Sequence, residues 1–570
     1  MQLIYCIINK YVKYILHCAK DIGLTHRREL TPPQTAAHTT APIDVKGACR
    51  EYAMRPQRRN EARSHSEIEP EATHDIPKPQ QPSDKPSWST ILPMKKDADI
   101  ITESSAERPS AELSGKIAAS ERPESSKNVE EPIAKQLALL AIPTFGQLIA
   151  EPAFILIDTA IVGHVGDAAL AGLSLGSTVI LTAVGLCMFL AYATTSQVAH
   201  LFGAGKRREG LQSGVDSLWL SLCIGVVLAG ALFVFAEPIC YALGGRGETL
   251  EQALAYTRAV VLGAPAVLMV YAANGIFRGL QKVRITLIAA VSGALLNTVL
   301  DVLFVIVWGW GITGSGVATF IAQWFMGLFL VVPAVAWALR GGASLKPRVE
   351  GIMAAGGDGL PLFLRTLAVR VAMVATVVAA AYMGTEVLAG YQVVNATWNF
   401  ALNVLDSVAI AGQALVGAQL GAKRYDRARE LTRATARAGI IMGLGVGAAF
   451  VLAGLAAGQA FSPSPEVQAI AAAGMVVTGI ALPLQGWMWA LDGILIGAGD
   501  FRYLAATCAI AAGAHVIALV ALVVGAGPFI DGDMLKCALL WTVFNTVFMG
   551  VRAIANGTRA HGDAWMHAAE

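Results

Sequence analysis

Apolar runs of 20 or more residues follow one another from about residue 136 to about residue 555, separated by short loops. A helix needs about 20 residues to cross the hydrocarbon core of a bilayer. The runs predict twelve spans, at roughly 136–162, 171–201, 213–236, 250–276, 284–308, 314–339, 358–383, 387–420, 433–458, 466–495, 503–526 and 534–555. Several exceed a minimal span, which allows tilt or extension past the bilayer. Basic residues gather in alternate loops. Lys206, Arg207 and Arg208 follow span 2, and Arg278, Lys282 and Arg284 follow span 4. Arg340, Lys346 and Arg348 follow span 6, Lys423, Arg424, Arg427 and Arg429 follow span 8, and Arg502 follows span 10. The odd loops hold only Arg246, with Lys536 at the edge of span 12. Lys and Arg are retained on the cytoplasmic side, so the even loops and both termini are expected there. An error of one span would break the alternation.

The two halves match at a constant offset of 218 residues. Pro143 pairs with Pro361, Gly166 with Gly384, Gly203 with Gly421, Pro265 with Pro483, Gly275 with Gly493 and Arg284 with Arg502. Each match is weak alone in a Gly-rich chain; shared spacing across six helices is not. The offset spans an even number of helices, so the repeats are parallel, related by an axis along the membrane normal. The fold class expected is an all-α polytopic membrane protein of twelve transmembrane helices in two pseudo-symmetric six-helix lobes, 131–348 and 349–570. Secondary transporters use such repeats and bind substrate between them.

Composition separates off the N-terminus. Of 570 residues, 15% are charged, against about 25% in soluble chains. Residues 1–130 hold 19 of the 43 Lys+Arg, 18 of the 41 Asp+Glu and half of the 24 prolines. A cytoplasmic, Pro- and charge-rich disordered tail is expected over 1–130, since apolar residues in 21–130 are too sparse to offset the entropy of ordering. Met1–Lys20 is more apolar, with lysines at 10, 13 and 20. A signal peptide, an interfacial helix and a start codon placed too far upstream all remain open for it. The balance excludes a soluble enzyme, a nucleic-acid binder and a secreted disulfide scaffold. Net charge is +2, which implies no polyanionic partner. The eight cysteines form no C-x-x-C and no zinc spacing; Cys187, Cys223 and Cys508, inside apolar runs, are expected to be small core residues.

No phosphate-binding G-x-x-x-x-G-K-[ST] motif occurs, so an ion gradient must supply the energy. The single G-x-S-x-G, GLSLG at 172–176, starts an apolar span and lacks the strand-to-helix turn of a nucleophile elbow. No enzyme activity is expected.

An ionisable residue inside a span is costly and marks a functional site by default. Arg258, Arg365 and Arg370 are placed to snorkel toward a span end. Asp492 reads as a loop anchor, and Asp216 as a wet residue near the start of span 3. Asp158 in span 1 and Asp301 in span 5 stand apart, at similar depth in the outer half. Asn297 is one turn before Asp301 on the same face, and Glu151 is two turns below Asp158. Two carboxylates and an amide converging in one half suit the exchange of a proton for a metal cation; the plainer reading is an interhelical hydrogen-bond clamp. At offset 218, Asp158, Asn297 and Asp301 map to Thr376, His515 and Leu519. Coupling is therefore expected in the first half, while Asp406, on the inward-running span 8, is expected to shape the substrate cavity.

The segments IDTAIVGHVG (157–166), TTSQVAHLFGAGKRREG (194–210), GIFRGLQKVR (275–284), NTVLD (297–301), PLFLRTLAVR (361–370) and GAQLGAKRYDRARE (417–430) resemble the multidrug and toxic compound extrusion (MATE) family, and within it the DNA-damage-inducible, DinF-like branch. The resemblance covers about residues 135–555. It implies a transporter of the plasma (inner) membrane that exports amphiphilic, often cationic, organic compounds against protons or sodium ions. A monomer in the lipid bilayer is expected, with no cofactor beyond the coupling ion and no nucleic-acid partner. The family's cation-coupling positions fall on Asp158, Asn297, Asp301 and Thr319, with sodium possible at the first three. Glu151, Arg365 and Asp406 are possible accessory residues. The span-7 glutamate of other branches is absent, and Arg365 and Arg370 occupy that stretch. The first rival is a lipid-linked oligosaccharide flippase of the same wider superfamily. Flippases usually carry extra spans and a cavity rich in Arg and Lys, whereas the basic residues here lie mostly at loops. The second rival, a membrane-embedded enzyme or receptor, has no catalytic motif to support it.

Overall fold

The computed structural model describes residues 132–456 and 462–568. The segment 1–130 and the three readings of Met1–Lys20 lie outside the described residues, as does the side chain of Glu151. Among the described residues, eleven helices are long and apolar enough to cross a membrane, or twelve with one bent pair taken as a single span. In the first lobe these are α1 (Ile133–Gly163), α2 (Asp167–Leu186) continued by α3 (Phe189–Gly203), α4 (Arg207–Ala242), α5 (Gly247–Val261) bent into α6 (Ala264–Gly279), α7 (Arg284–Asp301) and α8 (Gly311–Arg340). The second lobe holds α9 (Val349–Met383), α10 (Thr385–Gly421), α11 (Tyr425–Ala456), α12 (Pro465–Gly497), α13 (Phe501–Val520), and α14 (Asp533–Val543) running on into α15 (Gly550–His561).

The lobes repeat their packing as well as their sequence. The first span packs on the fifth in both (α1 on α7, α9 on α13), and the third on the fourth (α4 on α6, α11 on α12). Without water between helices, close approach of small residues supplies the attraction. Gly439, Gly443 and Gly447 recur every four residues on α11 and lie against the α12 backbone at Gly486, Leu482 and Gly479. The copies differ where helices break. Gly263 and Pro265 end α5 and start α6 with a 47° bend, since proline withholds a backbone donor. Its counterpart Pro483 sits inside the continuous α12. A π-helical turn follows α7 at Val302–Val307, directly after Asp301, and another follows α13 at Ala521–Ala526. Such turns interrupt the regular hydrogen-bond register and often occur at functional sites.

The lobes meet at the ends that carry the basic loops. Gly203 on α3 lies on the Ala418 carbonyl of α10, and Gly421 on α10 lies on the His200 carbonyl of α3. These two glycines are matched by the repeat offset. A Cβ on either would overlap the facing carbonyl oxygen. Beside them, the Gly497 carbonyl of α12 accepts from the Ser196 hydroxyl at 3.2 Å and from His200 Nε2 at 2.8 Å.

Asp216 and Cys223 differ from what their positions along the spans predict. Asp216 is buried: the connector between the lobes folds over it, with Arg348 Nη2 2.5 Å from its Oδ2 and Gln212 Nε2 donating to the Ser344 carbonyl at 3.0 Å. Cys223 is exposed, while Cys187 and Cys508 are buried. An apolar run in a spanning helix includes the face turned to lipid, so apolar neighbours in sequence do not make a residue core.

Candidate functional site

A cavity of about 190 Å³ lies inside the first lobe, among α1, α2, α5, α6, α7 and α8. Asp158, Asn297 and Thr319 line it, with Phe154, Tyr256 and Met326 among its apolar walls. Asp158 and Asp301 are buried, at 3% and 0% exposure. Asp158 Oδ1 accepts from the Ser315 hydroxyl of α8 at 2.6 Å. Asn297 bridges α7 and α8 in the amide orientation that satisfies both its ends. Its nitrogen then donates to Asp301 Oδ2 at 2.7 Å, and its oxygen accepts from the Thr319 hydroxyl at 3.3 Å. Asp301 Oδ1 is buried without a hydrogen-bond partner. Two carboxylates and two neutral oxygen-bearing side chains thus converge from three helices. A pair of negative charges out of water repels strongly, and a proton or an oxygen-coordinated monovalent cation relieves that repulsion.

The second lobe is built differently at the matched positions. The Thr376 hydroxyl lies 2.8 Å from His515 Nε2 and also donates to the Ala372 carbonyl. Phe544 and Phe548 pack on the His515 ring at 5.6 and 5.7 Å between centroids, and Leu519 is buried.

Arg365 and Asp492 do not take the places expected of them. Both are buried, and they form an ion pair with each other. Asp492 also accepts from Arg552 at 3.2 Å and from Asn556 at 3.1 Å. Arg365 therefore does not snorkel and Asp492 does not anchor a loop, because α9, α12 and α15 converge on one polar knot. Arg258 and Arg370 are exposed. Asp406 lies apart from the first-lobe cavity, at the lobe boundary, where the Tyr192 hydroxyl of α3 donates to its Oδ2 at 3.1 Å.

Sequence reasoning missed four residues: Ser315, Tyr256, Tyr192 and Arg278. Ser315 had a signal, since it precedes Thr319 by one helical turn and shares its face. Tyr256 and Tyr192 had none, because an aromatic residue in an apolar span is unremarkable. Arg278 was assigned to a basic loop, but it is buried within α6.

Two six-helix lobes, helices of membrane-spanning length and an enclosed polar site within one lobe define a multi-pass membrane transporter. The chain belongs to the MatE family, whose profile matches residues 143–303 and 361–520, once in each lobe. It is 29% identical over 432 residues to DNA damage-inducible protein F of Escherichia coli (strain K12), covering 74% of this chain and 90% of that protein. It is 27% identical over 449 residues to Protein DETOXIFICATION 44, chloroplastic, of Arabidopsis thaliana, covering 75% and 82%. Among solved structures, the bent form of the Vibrio cholerae MATE transporter VcmN matches with a TM-score of 0.68 at 21% identity, covering 76% of this chain and 98% of that one. An outward-facing multidrug resistance MATE family transporter of the MOP superfamily matches with a TM-score of 0.67 at 21% identity, covering 76% and 96%.

Proposed function

We propose that the protein exports amphiphilic organic compounds, cations among them, by antiport against protons or sodium ions, from the cytoplasmic to the outer side of a plasma membrane. The observation that carries this reading is the buried pair Asp158 and Asp301 beside an apolar, aromatic-walled cavity. Such a cavity suits an apolar ligand with a few fixed polar contacts. The carboxylate pair, with Asn297 and Thr319, offers oxygens to one small cation or a place for one proton. A ligand and a coupling ion that share one lobe can exclude each other, which is what antiport requires. Relatives named as multidrug resistance proteins of the NorM type, 24% identical over 321 residues in Pasteurella multocida, point the same way.

The test is export from proteoliposomes of purified protein, with tetraphenylphosphonium as the compound, under a pH gradient without sodium and then under a sodium gradient at uniform pH. One gradient is expected to drive export. Equal movement with and without either gradient would overturn the antiport reading.

A further inference from the structure

A second and larger cavity, of about 1590 Å³, opens between the basic ends of the two lobes. Ser196, Gln197 and His200 of α3 line it, so it lies beside the crossing where the lobes meet. Gln197 Nε2 donates across that boundary to Asp358 Oδ2 of α9 at 2.8 Å. Six Lys and Arg side chains line the cavity against four Asp and Glu. Each acid is already engaged. Glu209 pairs with Lys206 at 3.1 Å, Asp216 with Arg348 at 2.5 Å and Asp500 with Arg559 at 2.6 Å, while Asp358 holds Gln197. Arg207, Arg208 and Arg502 are left over. They are exposed, and among the described residues their side chains form no ion pair or hydrogen bond.

The places these three occupy are unfavourable for a cation. Arg207 and Arg208 open α4, and Arg502 is the second residue of α13. The first turn of a helix carries the positive end of its dipole, which favours an anion and disfavours a guanidinium. A preference of Lys and Arg for one side of the membrane accounts for the end of the bundle they occupy, but not for their gathering at helix starts around one cavity. The repeat does not demand the first two either: Tyr425 and Asp426 stand at their matched positions.

We propose that this cavity binds a phosphate-bearing anion, with Arg207 and Arg208 of the first lobe and Arg502 of the second as its cationic contacts. The planar guanidinium matches phosphate oxygens in pairs. Its volume exceeds the roughly 300–1,000 Å³ of ordinary ligand pockets, so it has room for a ligand with more than one charged group. The headgroup of an anionic phospholipid and a soluble polyphosphate share that chemistry. The site is separate from the first-lobe cavity and does not depend on which compound the protein exports.

The experiment follows thermal unfolding of the purified full chain in detergent. One arm adds inorganic pyrophosphate, with sodium chloride at matched ionic strength as the control. The other adds short-chain phosphatidylglycerol, with short-chain phosphatidylcholine, which carries no net charge, as the control. A ligand of the folded state raises the unfolding temperature in a saturable way, and at least one arm is expected to do so beyond its control. Saturation with pyrophosphate assigns the site to a soluble phosphate; saturation with phosphatidylglycerol alone assigns it to a lipid headgroup. Arg207→Gln, Arg208→Gln and Arg502→Gln are each expected to weaken the apparent affinity by about fivefold, the scale of one exposed ion pair, and the triple variant to abolish saturation. The three side chains are exposed and unpaired, so the variants are expected to fold. Arg424→Gln alters an exposed arginine outside the cavity and is expected to bind as wild type does. No saturable shift beyond the control in either arm would overturn the proposal. So would a loss in Arg424→Gln equal to that in Arg502→Gln, which would mean a diffuse basic surface and no site.

Discussion

The Thr376 hydroxyl and His515 Nε2 lie 2.8 Å apart, at the positions of the second lobe that correspond to Asp158 and Asn297 of the first. The same scaffold therefore carries a carboxylate site in one copy and a hydroxyl–imidazole pair packed against aromatic rings in the other. Burial without a counter-charge is tolerable for a neutral hydroxyl and imidazole. Two carboxylates out of water repel, and the second copy carries no such pair.

Asp158→Asn and Asp301→Asn keep size and most hydrogen-bonding capacity while removing the charge. Each is expected to abolish gradient-driven efflux in reconstituted protein while ligand binding persists. Asp406→Asn is expected to keep coupling, since Asp406 lies at the lobe boundary and not in the cavity. Full efflux by Asp158→Asn, or loss of coupling in Asp406→Asn alone, would contradict the asymmetry between lobes.

Ser315→Ala removes the 2.6 Å hydrogen bond to Asp158. A hydrogen bond to a charged group contributes about 1.5–3 kcal/mol. The apparent affinity for the coupling ion is expected to change by roughly 10-fold or more, and Ser315→Thr, which restores a hydroxyl, is expected to recover it. Efflux rates against ion concentration give the comparison, and identical curves for Ser315→Ala and wild type would remove Ser315 from the site.

Gly203→Ala and Gly421→Ala place a methyl group on a backbone carbonyl of the opposite lobe. Overpacking of this kind costs about 1–3 kcal/mol. Each variant is expected to fold and to favour the state with the basic ends apart, seen as faster labelling by a water-soluble thiol reagent at a cysteine introduced at Ser196. Labelling no faster than in the parent would mean that the crossing is not a gate.

Asp492→Asn leaves Arg365 and Arg552 buried without their shared carboxylate. Loss of one partner from a buried ion pair costs about 3–5 kcal/mol, so the unfolding temperature in detergent is expected to fall clearly. Arg365→Gln is expected to cost less, because Arg552 and Asn556 still hold Asp492. The reverse order would show that Arg552 does not share the load.

The sequence by itself determined the twelve spans, the alternation of basic loops and the 218-residue repeat. All three are one-dimensional quantities. A span is a length of apolar chain, and an acid in lipid is costly wherever its helix faces. The partners of each charge were decided only in three dimensions. Periodicity does not separate a lipid-facing residue from a core residue when both are apolar, so Cys223 read as core and is exposed. Position along a span does not reveal what folds over it, so Asp216 read as wet and lies under the connector. Arg365 and Arg278 looked like residues of helix ends, yet each is buried on partners far away in sequence. Matched prolines did not fix matched breaks either: the helix parts at Gly263 and Pro265 and continues unbroken through Pro483. What surrounds a proline decides whether the missing hydrogen bond becomes a break or is absorbed by packing, and that surrounding is a property of the folded bundle.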